Sequence, residues 1–152
     1  MKVRFLYLIL LFSLCTGAIT ASNPDKKLNA LRINEAIKMD GVLDEEVWKN
    51  AQVATDFIQT EPTPGLSATF VTEAFFLYDN NAVYIGARMF DPESQKILKE
   101  LSLRDQMGNA DYFGVFFDTY KSGINGFNFF VTASGVQKEG VVTNHKDDSN
   151  WN

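Results

Sequence analysis

Apolar and polar residues alternate in short runs along this chain, and the clearest alternation lies between residues 68 and 90. Val71, Glu73, Phe75 and Leu77 interleave with Phe70, Thr72, Ala74, Phe76 and Tyr78. After Asp79-Asn80-Asn81 the alternation resumes, with Val83, Ile85, Ala87 and Met89 set against Tyr84, Gly86 and Arg88. Period two sends successive side chains to opposite faces of a strand, so two such runs around a polar turn predict a β-hairpin. Residues 112–118 form a strongly apolar run that predicts another strand, followed by turn residues over 121–126. Residues 127–133 and 136–142 predict two more strands, joined at Ser134-Gly135.

The remaining pattern is weaker. Residues 30–38 alternate in pieces, compatible with an early strand, and Asp40-Gly41 is a turn signal. Asp44 is placed to cap a brief helix through Ala51, with Val47, Trp48 and Ala51 facing inward at helical spacing. Two prolines and a glycine make residues 60–67 a loop, and Asp91-Pro92-Glu93-Ser94 ends the hairpin. Residues 95–103 fit a short helix or an irregular crossing, and 143–152 form a polar tail. Short strands with turns about every ten residues predict an all-β fold, an antiparallel β-sandwich with one short helix. Nothing in the pattern calls for a parallel sheet.

The first residues stand apart from that scheme. Lys2 and Arg4 precede a continuous apolar run from Phe5 to Cys15, and small residues follow at Gly17, Ala18, Ala21 and Ser22. This order is that of a secretory signal peptide, and the run is too short to span a bilayer. Residues 1–21 are therefore assigned to a signal, 22–29 to a polar lead-in, and the chain to an exported protein of the periplasm, outer membrane or exterior. Cys15 follows Leu14, whereas a lipid-attachment cysteine follows a small residue, so it belongs to the apolar run. Cleavage removes the one cysteine, leaving a domain that folds on its core without disulfides. Losing Lys2 and Arg4 from 14 basic residues leaves 12 against 19 acidic ones, a net charge near −7. With no Lys/Arg cluster, nucleic acid and anionic membranes are excluded as partners.

Catalytic chemistry finds little to stand on. The one histidine, His145, lies in the polar tail with no cysteine or second histidine nearby, which argues against zinc or a Ser-His hydrolase. Carboxylates flank the strands at Asp91, Asp105, Asp111 and Asp118. A converging pair would suit a glycoside hydrolase, but acidic residues at strand ends commonly cap turns. Structural calcium is the one cofactor left open, with Asp91 and Asp118 as its candidate ligands. For sugar binding, an exposed aromatic ring stacks on the apolar face of a pyranose while polar side chains take its hydroxyls. Trp48 sits at a core-facing position; Trp151, in the polar tail, is the candidate stacking ring. Arg104, Asp111 and Tyr112 are the candidate hydroxyl contacts.

Four segments in order carry a resemblance. Asp40-Gly41-Val42-Leu43-Asp44-Glu45-Glu46-Val47-Trp48 resembles the opening motif of family 9 carbohydrate-binding modules. Phe76-Leu77-Tyr78-Asp79-Asn80-Asn81-Ala82-Val83-Tyr84-Ile85 is similar to their first long hairpin and Asp91-Pro92 to its end. Asp111-Tyr112-Phe113-Gly114-Val115-Phe116-Phe117-Asp118 is similar to their next strand. The resemblance spans roughly residues 30–142. It implies a sandwich that binds an oligo- or polysaccharide without catalysing anything, and sometimes carries structural calcium. It places Gly108 where sugar-binding members have a clamp tryptophan, and Phe130 near their sugar-contacting arginine. Two readings follow: a carbohydrate-binding module linked to polysaccharide breakdown or uptake, or a structural or docking domain that kept the sandwich and lost the sugar site. Leu103-Arg104-Asp105 and the segment from Phe130 to Gln137 resemble a subgroup in which such a domain precedes a predicted outer-membrane barrel in one long chain. By that resemblance the sandwich, residues 30–152, is C-terminally incomplete.

Overall fold

The computed structural model describes residues 26–144 and the backbone of 146–148. Residues 1–21, the expected signal, lie outside the described residues, as do His145 and Trp151. The fold class is the one the pattern predicts, all-β and sandwich-like, with strands gathered in two four-stranded sheets and one short helix. Among the described residues no helix is long and apolar enough to cross a membrane.

The strands are β1 (Leu31–Arg32), β2 (Val53–Ala54), β3 (Thr72–Tyr78), β4 (Val83–Met89), β5 (Tyr112–Phe117), β6 (Gly126–Thr132), β7 (Gln137–Thr143) and β8 (Lys146–Asp148). The helix α1 spans Glu46–Asn50, and a single 3₁₀ turn covers Ser94–Lys96. One sheet runs β1-β3-β2 with β4 on β3, and the other runs β5-β6-β7-β8. The β3–β4 hairpin and the β5–β6–β7 meander match the predicted strands to within a residue or so at most ends; β3 starts later, at Thr72. Elsewhere the structure departs from expectation. The early strand shrinks to β1, and it pairs in parallel with β3, Leu31 with Leu77 and Arg32 with Tyr78. The polar tail supplies β8, which pairs antiparallel with β7.

The chain divides into two compact units, the first comprising residues up to 54 with 75–86, the second 55–74 with 87 onward. The first unit has a core of Ile33, Val47, Trp48, Ala51, Phe75 and Leu77, with Leu31, Ile37, Leu43 and Tyr84 packed against it. Five residues of helix cannot persist alone in water, so α1 owes its existence to Val47 and Trp48 entering this core. Its cap is Glu45 rather than Asp44, with no side-chain capping bond. The Glu45 carboxylate instead accepts the Lys38 backbone N–H at 2.9 Å and the Trp48 Nε1–H at 2.8 Å. Trp48 meets Phe75 edge-on, with ring centroids 6.3 Å apart. Gly86 gives that packing room, since a Cβ there would lie 2.7 Å from a Leu43 methyl, which would have to shift, and 3.1 Å from the Trp48 ring.

In the second unit the β6–β7 connection is fixed by Thr132. Its buried hydroxyl accepts the Val136 N–H at 3.0 Å and shares a 2.9 Å hydrogen bond with Ser134. Residues 98–111 run as an irregular strap, held by the Lys99–Ala110 bridge and by the Asp111 N–H donating to Leu98 at 2.7 Å.

Candidate functional site

Pairing register decides which side chains share a face of the β5–β8 sheet. Tyr112 opposes Thr132, Gly114 opposes Phe130 and Phe116 opposes Asn128. Phe130 in turn opposes Lys138, and Asn128 opposes Gly140. Cross-strand partners project to the same side of a sheet, so Tyr112, Phe116, Phe130 and Lys138 lie on one face.

On that face the three rings form a strip. Phe130 meets Tyr112 edge-on at a centroid distance of 5.6 Å and Phe116 at 5.5 Å. Gly114 makes the arrangement possible, because a Cβ on it would come within 2.4 Å of the Phe130 ring. The Phe130 ring therefore leans across onto β5, between Tyr112 and Phe116. Lys138 extends the row from β7, with Nζ 5.5 Å from the Phe130 centroid, within cation–π range. Tyr112 and Phe116 are 58% and 65% exposed, so the outer rings of the strip face water. Edge-to-face rings with open outer surfaces present apolar area together with a phenol and an ammonium, a mixture suited to a ligand with alternating C–H and hydroxyl surface.

The opposite face carries Phe113, Val115, Phe117, Phe129 and Val131, together with Gln137 and Glu139. Arg104 reaches Gln137 and Glu139, with Nη1 3.0 Å from the Gln137 amide oxygen and Nη2 bonded to the Glu139 carboxylate. Glu139, through that bond and its charge, raises the Arg104 pKa. Arg104 is thus tied to the face away from the strip. Asp111 accepts the Leu98 N–H at 3.1 Å and so anchors the strap. Of the expected sugar contacts, the structure places Tyr112 in the strip and gives Arg104 and Asp111 internal partners. Trp151 lies outside the described residues.

The calcium candidates stand in separate loops. Asp91 accepts the Glu93 N–H at 2.7 Å, while Asp118 accepts those of Ser122 at 3.0 Å and Gly123 at 2.7 Å. These backbone bonds hold the Asp118 carboxyl below the usual carboxylate range. Among the described residues there is no group of three or more His, Cys, Asp or Glu side chains able to hold a metal ion. Asp40, Glu45 and Asp79 also have their pKa lowered, by Lys38 in the first case and chiefly by backbone N–H donors in the others. A general acid needs the opposite displacement.

A cavity of about 570 Å³ opens in the second unit, walled by Phe70, Phe90, Ile97 and Phe113 and edged by Asp91, Asp111 and Tyr112. Its size is that of a small-molecule site, and its wall is mainly apolar.

Sequence reasoning missed Phe116 and Lys138, and met Phe130 only as the position where an arginine was expected. A signal was present: a β6–β7 hairpin centred on Ser134 sets Phe130 opposite Lys138. No known protein family, curated protein or solved structure matches the chain.

Proposed function

We propose that this chain is a non-catalytic carbohydrate-binding module of an exported protein, taking an oligo- or polysaccharide on the β5–β7 face. The observation that carries this reading is the Tyr112–Phe130–Phe116 strip, three rings in edge contact with the outer two open to water. The ordered resemblance to family 9 modules supports the same reading. The arginine position of that family is taken here by Phe130, so stacking rather than charge dominates the contact, with Tyr112 Oη and Lys138 Nζ as hydroxyl partners. Turn-capping carboxylates with lowered pKa values favour a binding role over hydrolysis.

One observation favours a second reading, a structural or docking domain, within an outer-membrane protein, that has lost sugar binding. Arg104 and Asp111, the polar groups expected to meet a sugar, are occupied by Gln137, Glu139 and Leu98.

Calorimetric titration of the folded protein with xylo-, cello- and manno-oligosaccharides separates the two. Saturable binding to one class, weakened about tenfold by Tyr112→Ala and by Phe116→Ala, is the expected result, since one exposed ring contributes about 1.4 kcal/mol. Silence across the panel from protein with native near-UV dichroism transfers the reading to a docking domain.

A further inference from the structure

Among the described residues β5 stands at the end of the strand order β5-β6-β7-β8, with one edge unpaired in that sheet. The Asp111 carbonyl accepts the Ala133 N–H at 2.8 Å, which sets the alternation. Backbone groups of Phe113, Val115 and Phe117 then face β6, and those of Tyr112, Gly114 and Phe116 face outward. Among the described residues, none of these outward groups makes a turn or loop backbone bond. The strap covers this edge only as far as Asp111, through Leu98 and the Lys99–Ala110 bridge.

Exposed edges are ordinarily blunted by lysine, proline, a bulge or an inward charge. The six residues Tyr-Phe-Gly-Val-Phe-Phe contain none of these. Charge appears only at the two ends, as Asp111 and Asp118. A cavity adjoins each end. The 570 Å³ cavity touches Asp111, Tyr112 and Phe113. A smaller one of about 150 Å³ touches Phe116, Phe117 and Asp118, with Ile124 in its wall.

We propose that the outer edge of β5 receives, by strand addition, an extended segment of a partner protein that is apolar in its middle and basic at both ends. Main-chain bonds from Tyr112, Gly114 and Phe116 supply affinity, and the larger cavity beside Asp111 and Tyr112 selects an apolar side chain. The flanking aspartates choose the partner's charge. A second copy of this chain is the competing occupant, since antiparallel pairing about Gly114 sets Tyr112 opposite Phe116 and Asp111 opposite Phe117. The proposal does not depend on the glycan reading.

The test is fluorescence anisotropy of the whole protein with a labelled peptide of alternating Val and Thr, flanked by lysines. Saturable binding is expected, and about tenfold weaker binding when glutamates replace the lysines. N-methylation of alternate peptide residues removes the donors facing β5 in one phase and spares them in the other, so only one phase should abolish binding. Phe116→Pro, which deletes an outward N–H without touching the β6 ladder, should abolish it, whereas Phe116→Ala, which loses the ring but keeps that N–H, should weaken it far less. Absence of binding, or equal effects from the two N-methylation phases, overturns the proposal. So does a dimer in sedimentation that Phe116→Pro disperses, because a second copy would then occupy the edge.

Discussion

Asp118, a candidate metal ligand at the end of β5, already has a structural task in its loop. Its carboxylate closes the loop after β5 by accepting the Ser122 and Gly123 N–H groups, work that ordinarily falls to an Asx turn and needs no cation. Those bonds favour the ionised form and lower the folded-state pKa from its ordinary 3.8. A lowered folded pKa means the stabilisation is present above the unfolded value and disappears as pH falls through the folded one. Asp118→Ala should therefore lower Tm at pH 7 equally in calcium and in chelator. The gap to the parent should close once the pH is below the depressed value. Thermal melts across pH check both parts, and a calcium-dependent gap would restore Asp118 as a ligand. At this scale the sequence was partly legible. Trp48 was assigned to the core by its helical spacing, and it is buried. The strip was not legible, because period two places Phe116 on a face without saying what covers Gly114. That depends on the Phe130 ring crossing between strands, which is a matter of register.

Strands and turns were the most legible level, since alternation and turn residues act over a few positions. The hairpin around Asp79 illustrates it: its Oδ1 accepts the Asn81 and Ala82 N–H groups at 2.7 and 2.8 Å, closing the turn the three polar residues signalled. Elements made by distant partners were legible only in outline or not at all. β1 exists because Leu31 and Arg32 pair alongside Leu77 and Tyr78, and Arg32 is tied to Asn80 at 2.7 Å across 48 positions. Polarity gave no hint of β8, whose pairing with β7 rests on the backbone. The same dependence makes β3 the sensitive element of the first unit. Leu77 is fully buried, pairs with Leu31 and belongs to the cluster around Trp48. Leu77→Ala should cost about 2–5 kcal/mol, the lost transfer energy plus the cavity left behind. A urea titration should show its midpoint falling sharply. A loss below about 1 kcal/mol would mean the core around Leu77 collapses freely into the space.

For the whole molecule, charge and exposed apolar area act in different pH ranges, and that difference can be measured. The chain carries 19 acidic against 14 basic residues, a net charge of −5 at pH 7. Its second unit leaves Leu101, Leu103, Phe116 and Tyr120 at 65–81% exposure. Like charge keeps such surfaces apart, and association follows when net charge approaches zero. That acidic excess puts the isoelectric point of the sequence at about 4.8. Asp40, Glu45, Asp79 and Asp118 resist protonation to lower pH, because bonds made only in the folded state hold them ionised. Folding should therefore survive into the range where repulsion is already lost. Light scattering is expected to rise near pH 5 while near-UV dichroism stays native, with dichroism failing only at lower pH as the capping carboxylates protonate. A peptide bound along β5 should lower the scattering without altering the dichroism, since it covers the strand edge beside Phe116. If scattering rises only after the dichroism is lost, association belongs to the unfolded chain. The exposed native surface would then play no part in it.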